Sequence, residues 1–540
     1  MTADTAEHPA APAASARARR LRPAIAAAVR APGVRAAGLG VVEEAMDAGA
    51  LPAAAGVHAR GATAPALRSV WSRLLRDEER AFAARDSARA LLGSRALVWL
   101  AGSGTLALLG FGPVRKAFDP PGLTRGFGWL GDLLAGPAAR WDSSWYLIIA
   151  QRGYRPDLSG VAGARSAFFP LYPLGLRAIS WLGAPPVAAG VALSLAALAV
   201  ALYCVHRLCA LEFARAAVVR AGAAGSRDIA RLAVALTAFA PMAFFLSAVY
   251  SESLYLALST GMFLAARRGR WALVGALGAF AAATRSAGVL LLLPALILYL
   301  YGPREDRAPD FAAAVGGEGE SASAAGRRGR AGRSARAAGV LQRAAALLVP
   351  RYRARADLLW LALVPAGLGA YMGYLALAGG DALLPFSAQQ LWGRHFVAPF
   401  AGGWDGVKAA FEGARQLLSF QQRHVYFPVG GQRPSVVASH NLLLAAFMLA
   451  AVPALAGVLR KLPFAYGAYV IAALAVPLSD PIAAQPLMSL PRFLLVLFPL
   501  QMWLAGWLAP RTRLRRGALV ASALLLVFFT AQFATWHWVA

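Results

Sequence analysis

Long apolar runs separated by short clusters of charge set the pattern of this chain. A helix that crosses a bilayer needs about 20 mostly apolar residues, and fewer where the bundle is locally thin. On that measure the pattern predicts spans near 95–112, 185–206, 231–249, 252–266, 271–284, 287–302, 357–379, 441–459, 463–478, 492–509 and 516–537. The stretch Phe168 to Gly183, FFPLYPLGLRAISWLG, is short and carries two prolines and Arg177, so it reads as an interfacial or re-entrant helix. The predicted fold is an all-α polytopic membrane protein with about 11 transmembrane helices and long loops that carry interfacial helices.

Composition sharpens this picture. Of 540 residues, 59% are hydrophobic and only 15% charged, which excludes an ordinary water-soluble protein. The net charge of +28 would suit a nucleic-acid binder, but the basic residues lie in the N-terminal tail and in short turns between apolar runs. That is how cytoplasmic loops look, and no nucleic-acid partner is expected. With the N-terminus cytoplasmic, one register puts every basic cluster inside: Arg207 to Arg231, Arg267 to Arg270, the stretch 304–356, Arg460-Lys461, and Arg511 to Arg516. The expected organisation is a disordered basic tail over 1–90 and a first membrane module over 91–302 with an external loop at 113–184. A basic linker over 303–356 and a second module over 357–540, with an external loop at 380–440, complete it. Cys204 and Cys209 read as packing residues, since no His/Cys cluster accompanies them.

The same register gathers the remaining charged motifs on the external face of a cell-membrane protein. In RWDSSWYLIIAQRGY, Arg140 to Tyr154, Asp142 stands among Trp141, Trp145 and Tyr146. The aromatics fit an interfacial belt and the acid fits a helix cap that accepts from the N–H of Ser144 or Trp145. An aspartate walled by aromatics at a membrane boundary equally fits a general base. In SAVYSESLY, Ser247 to Tyr255, Glu252 opens an apolar helix, where the helix dipole favours an acid and where a boundary carboxylate also suits substrate positioning. Arg285, in AAATRSAGVLLL, breaks the positive-inside bias that the other turns obey. It is either a snorkelling arginine or an anion site whose guanidinium forks onto phosphate. Arg394 and His395 in FSAQQLWGRHF and Arg492 in SLPRFLLVLFP fall on the same face. The external acids form no adjacent pair, so no metal is expected.

RWDSSWYLIIAQRGY, then AFFPLYPLGLR, SAVYSESLY and ATRSAG in that order resemble the PIG-V family of mannosyltransferases, in particular its bacterial members. The resemblance runs over roughly residues 90 to 300 and thins beyond 350. It implies a GT-C type of multi-spanning glycosyltransferase that takes a polyprenyl-phosphate sugar, with mannose expected, and transfers it with inversion on the external face. It further implies Asp142 as the catalytic acid of the first external loop; with the charges on the same face, Arg285, Arg394 and Arg492 are the expected donor-phosphate groups, and Glu252, Trp141, Trp145, Tyr146 and His395 the expected substrate-positioning groups. The lipid-linked donor is a substrate, no cofactor is required, membrane lipid surrounds the site, and the acceptor stays open. A transporter or flippase of a lipid-linked sugar is the alternative class, and a non-catalytic membrane scaffold a third.

Overall fold

In the computed structural model, residues 64–112, 122–156, 163–219, 225–310, 349–420 and 433–539 are described. The described residues form helices and 3-10 turns with no strand beyond one isolated bridge, Arg394 to Ile482. The chain divides into two units. The smaller comprises 1–76 and 215–223, and the larger, 77–214 with 224–540, holds everything considered below.

In chain order the helices are α1 (Ala64–Leu109), α2 (Gly128–Ala135), α3 (Ser143–Arg152), α4 (Leu171–Ser180) and α5 (Pro186–Val219). Next come α6 (Ser226–Ala238), α7 (Glu252–Arg267), α8 (Trp271–Ala282), α9 (Leu292–Tyr301), α10 (Leu363–Gly379) and α11 (Ala401–Ser419). The last are α12 (Pro434–Lys461), α13 (Phe464–Ser479), α14 (Leu490–Val496), α15 (Phe498–Leu508) and α16 (Thr512–Ala534).

Among the described residues, five stretches are long and apolar enough to cross a membrane: Glu78–Leu109, Pro186–Ala214, Ala356–Gly379, Pro434–Lys461 and Thr512–Ala534. The pair α14 and α15 makes a sixth if its 74° bend is taken as one broken span. Apolar helices of 10 to 17 residues, Trp271–Ala282, Ser286–Tyr301 and Phe464–Ser479, fall where further spans are predicted. The fold is thus an all-α polytopic membrane protein, with fewer full-length crossings than the apolar runs suggest. Phe168 to Gly183 holds only the ten-residue α4, in keeping with an interfacial or re-entrant segment.

Two sequence expectations change. Residues 64–90, taken with the basic tail, are helical and begin α1, whereas residues 1–63 of that tail lie outside the described residues. Residues 311–348 of the linker also lie outside them. The predicted span 231–249 is not one helix: α6 stops at Ala238, and 239–251 runs as turns around the short 3-10 segment Ala243–Leu246. Pro241 lacks an N–H and cannot continue the helical ladder. Its neighbourhood is buried, so the freed carbonyls need partners, and the buried Arg95 of α1 supplies them. Its Nη1 donates to Ala243 O (2.7 Å) and Ser247 Oγ (2.8 Å), and its Nη2 to Ala238 O (2.9 Å). Irregular backbone among membrane helices persists only where protein satisfies it in this way.

Helices that cannot rely on a hydrophobic drive pack through small residues. Between α8 and α10, a Cβ on Gly275 would lie 2.1 Å from Trp360 O and one on Gly367 1.8 Å from Ala279 O, so both positions exclude a side chain. Between α7, α13 and α15 the space is filled by rings, with Phe263 4.9 Å from Tyr466 and 5.2 Å from Phe498. Helix α7 runs from Glu252 to Arg267 and α8 returns from Trp271 to Ala282. This hairpin leaves Glu252 and Arg285 at one end of the bundle and Arg267, Arg268 and Arg270 at the other.

Candidate active site

The backbone before α3 fixes the first acid. Trp141 has φ 53°, a left-handed conformation that a bulky L residue adopts only under external constraint. Tyr250, from the broken segment, reaches into this turn. Its Oη accepts from the Asp142 N–H at 3.0 Å and donates to Arg140 O at 3.1 Å. Asp142 is the residue that caps α3, yet its carboxylate makes no capping hydrogen bond. It turns away to Arg492, whose Nη1 donates to Asp142 Oδ2 at 2.8 Å.

Arg492 sits on α14, just after Ser489 (φ 68°) and Pro491 start that helix. Its Nε is also 3.2 Å from Glu252 Oε1. The same Glu252 oxygen accepts from Arg285 Nη2 at 2.8 Å. Asp142, Arg492, Glu252 and Arg285 therefore form one chain of alternating charge drawn from four separate segments. Glu252 is fully buried, whereas the side chains of Asp142, Arg285 and Arg492 keep 14%, 15% and 12% of their surface open, so every member but Glu252 is reachable. Glu252 Oε2 has no hydrogen-bond partner among the described residues. Phe493 lies under both guanidinium groups at 5.8 Å, and Phe245 and Tyr250 face Arg492 at 5.7 Å, which keeps the cations in an aromatic setting. Gly288, after Arg285, is dictated by packing: a Cβ there would meet Ala281 O at 2.1 Å.

The aromatic residues of the first motif take different positions. Trp141 stands edge-on to Trp536 (5.6 Å) and Trp538 (5.3 Å). Trp145 stacks on Phe168 (5.7 Å) and meets Trp392 edge-on (5.8 Å). The Tyr146 hydroxyl is 3.0 Å from Ser251 Oγ, beside Glu252, and burial together with the Glu252 charge pushes its pKa up to about 12, so it stays a neutral hydrogen-bonding group.

Arg394 goes to backbone carbonyls. Its Nη1 donates to Asp480 O (3.1 Å) and its Nη2 to Met488 O (3.2 Å), which sews its loop to the segment leading into α14. Burial and the nearby Arg492 charge lower its pKa to about 10. His395 is exposed, with its ring 3.4 Å from Gly393 O in its own turn. The structure thus brings Asp142, Glu252, Arg285 and Arg492 together, sets Arg394 beside them, and leaves His395 in the turn next to Arg394. Tyr250, Phe493, Trp392, Trp536 and Trp538 were not singled out as site residues in the sequence. Tyr250 stands inside the SAVYSESLY motif and Phe493 beside Arg492, so position was the available signal. The C-terminal tryptophans carry only a spacing of two.

An apolar cavity of about 620 Å³ lies close by, walled by Ile149 and Ala150 of α3, Leu171 of α4, Phe280 of α8 and Tyr371 of α10. None of the four charged residues lines it; its walls are tied to them along the chain, since Asp142 directly precedes α3 and the Leu171 N–H donates at 3.0 Å to Ala283 O, two residues before Arg285.

The described residues are those of an all-helical membrane protein with paired acids and arginines gathered at one end of its bundle. Residues 128–297 match the family described as Mannosyltransferase (PIG-V). That segment contains Asp142, Glu252 and Arg285, while Arg394 and Arg492 lie beyond it. No curated protein and no solved structure gives a match. The family match and the fold together support a membrane mannosyltransferase.

Proposed function

We propose that the protein transfers mannose from a polyprenyl-phosphate donor to an acceptor hydroxyl, with inversion at the anomeric carbon, on the external face of the cell membrane. The observation that carries this reading is the single chain of contacts Asp142–Arg492–Glu252–Arg285. A base for the acceptor and cations for a phosphate leaving group occur within one cluster, as transfer from a sugar phosphate requires. Asp142 Oδ2 is held by Arg492, and the acceptor hydroxyl gives its proton to this carboxylate as its oxygen attacks the anomeric carbon. The bond to the donor phosphate oxygen breaks, and the phosphate leaves with the electron pair, received by the open donors of Arg285 and Arg492. Glu252 holds both guanidinium groups in place through one carboxylate oxygen. The apolar cavity suits an isoprenoid chain, because a lipid-linked donor must keep its tail out of water while its phosphate meets the arginines. The external assignment rests on charge: the opposite end of the bundle carries Arg267, Arg268 and Arg270, and cytoplasmic loops are the basic ones.

The test is transfer by purified protein in lipid, with radiolabelled polyprenyl-phosphate mannose and a membrane extract as acceptor source. A labelled glycosidic product is expected, and Asp142→Asn should lose about 10²- to 10⁴-fold in rate while remaining folded. Wild-type turnover in Asp142→Asn removes the aspartate from the mechanism. Translocation of the lipid-linked sugar across vesicles with no product formed replaces the enzyme with a flippase.

A further inference from the structure

The Asp142 turn is held from two sides. On the inner side the Tyr250 hydroxyl bridges the turn, taking the Asp142 N–H and giving its own hydrogen to Arg140 O, so one phenol spans the left-handed Trp141. On the other side is the C-terminus. After α16 ends at Ala534 the chain turns through Trp536, itself at φ 66°, and lays Trp536 and Trp538 against the two edges of Trp141. Arg140 closes the contact: its Nε donates to Ala534 O at 2.9 Å and its guanidinium lies 4.8 Å over the Trp536 ring. Trp141 and Trp536 are both buried, so neither ring is an interfacial anchor. A helix-capping aspartate ordinarily bonds its own helix; here the backbone is set so that the carboxylate leaves the helix and meets Arg492.

We infer that Tyr250 and the C-terminal Trp536 and Trp538 are positioning residues for Asp142, clamping the 140–142 turn in the left-handed form that aims its carboxylate at Arg492. The inference rests on the transferase reading for its kinetic effect but not for the clamp itself. It also makes the last residues of the chain, far from the family-matched segment, a working part of the site.

The experiment compares Tyr250→Phe, Trp538→Ala and Trp538→Phe in the full-length protein in lipid. Tyr250→Phe removes both hydrogen bonds and keeps the ring. It should lower kcat roughly 10- to 100-fold, the size of loss expected from a misplaced reacting group, with donor KM unchanged. Added to Asp142→Asn it should cost nothing more, because a residue that acts only through Asp142 has nothing left to position. Trp538→Ala should give the same split between kcat and KM, and Trp538→Phe, which restores an aromatic edge, should recover most of the rate. Independently of catalysis, amide exchange of the peptide covering 140–146 should quicken in Tyr250→Phe and Trp538→Ala. Unchanged exchange there, or a full additional loss on Asp142→Asn, overturns the inference. A wild-type protein that transfers no sugar overturns the functional reading alone, since exchange still decides the clamp. Should Tyr250→Phe fail to fold, the Trp538 pair decides it.

Discussion

At the scale of single residues, the energetics turn on Glu252. It is fully buried and its Oε1 lies against two arginines, so it is the acid that both cations share. Removing one member of a buried ion pair costs roughly 3–5 kcal/mol, because its partners keep their charge without compensation. Glu252→Gln preserves shape and removes that charge, leaving Arg285 and Arg492 with Asp142 as the remaining acid of the cluster. A loss of about 3 kcal/mol is expected, read as a lower unfolding temperature in detergent. Arg492→Lys should cost activity as well, since a compact ammonium that bonds Asp142 cannot also spread its charge towards Glu252 as the planar guanidinium does. The types and locations of Asp142, Glu252, Arg285 and Arg492 were legible in the sequence, because each is a charged residue at the edge of an apolar run. Their pairing was not. Nothing in a linear chain says that Arg492 turns to Asp142 while Arg394, on another loop, spends its donors on the carbonyls of Asp480 and Met488. The cap role open to Asp142 lost to an ion pair supplied from 350 residues away.

At the scale of elements, apolar runs located the helices well and misjudged their continuity. The segment 231–249 has the composition of a span, and Pro241 alone warned of a break. What decides the break is tertiary: Arg95 donates to three acceptors within 238–247, and burial forbids water from doing so. In the sequence Arg95 looks like the basic residue that precedes a first span. The break shapes the charged cluster, since it delivers Tyr250 to the Asp142 turn and Glu252 to the arginines. Arg95→Leu should strip those acceptors of their partners at about 1–3 kcal/mol for each group left unsatisfied. The expected outcome is little monodisperse protein in detergent, measured by size-exclusion yield. Arg95→Lys should recover part of that yield, because an ammonium reaches one or two of the acceptors but not all three. Equal yields for Arg95→Leu and wild type would show that the carbonyls find other donors.

At the scale of the whole molecule, the basic end of the bundle is closed by contacts that tie down both flanks of the long Arg-rich stretch. Arg304 lies over Trp271 (4.6 Å), Tyr299 (4.9 Å) and Tyr352 (5.1 Å), so one cation gathers rings from both flanks. The Arg353 N–H donates to Asp310 Oδ2 at 2.9 Å, and Arg307 Nη2 donates to Arg353 O at 2.8 Å. The N–H groups of Arg351 and Tyr352 both reach Leu300 O, at 2.8 Å and 3.0 Å. The described segments on either side of residues 311–348 are therefore bonded directly to each other. This closure does not need the residues between them, and loop-closure entropy grows only slowly with loop length. Replacing residues 314–346 with a short Gly/Ser linker should change stability by only about 1 kcal/mol, and in the favourable direction. The active cluster stands at the opposite end of α7 and α8, so the rate of sugar transfer should stay within about twofold of wild type if long-range coupling is weak. Asp310→Ala with Tyr352→Ala, which unties the flanks without shortening anything, should instead lower the unfolding temperature. Paired measurements of unfolding temperature and transfer rate on the two constructions decide it: a deletion that abolishes transfer while the protein remains folded would give the intervening segment a role in the reaction that the bonded flanks do not require.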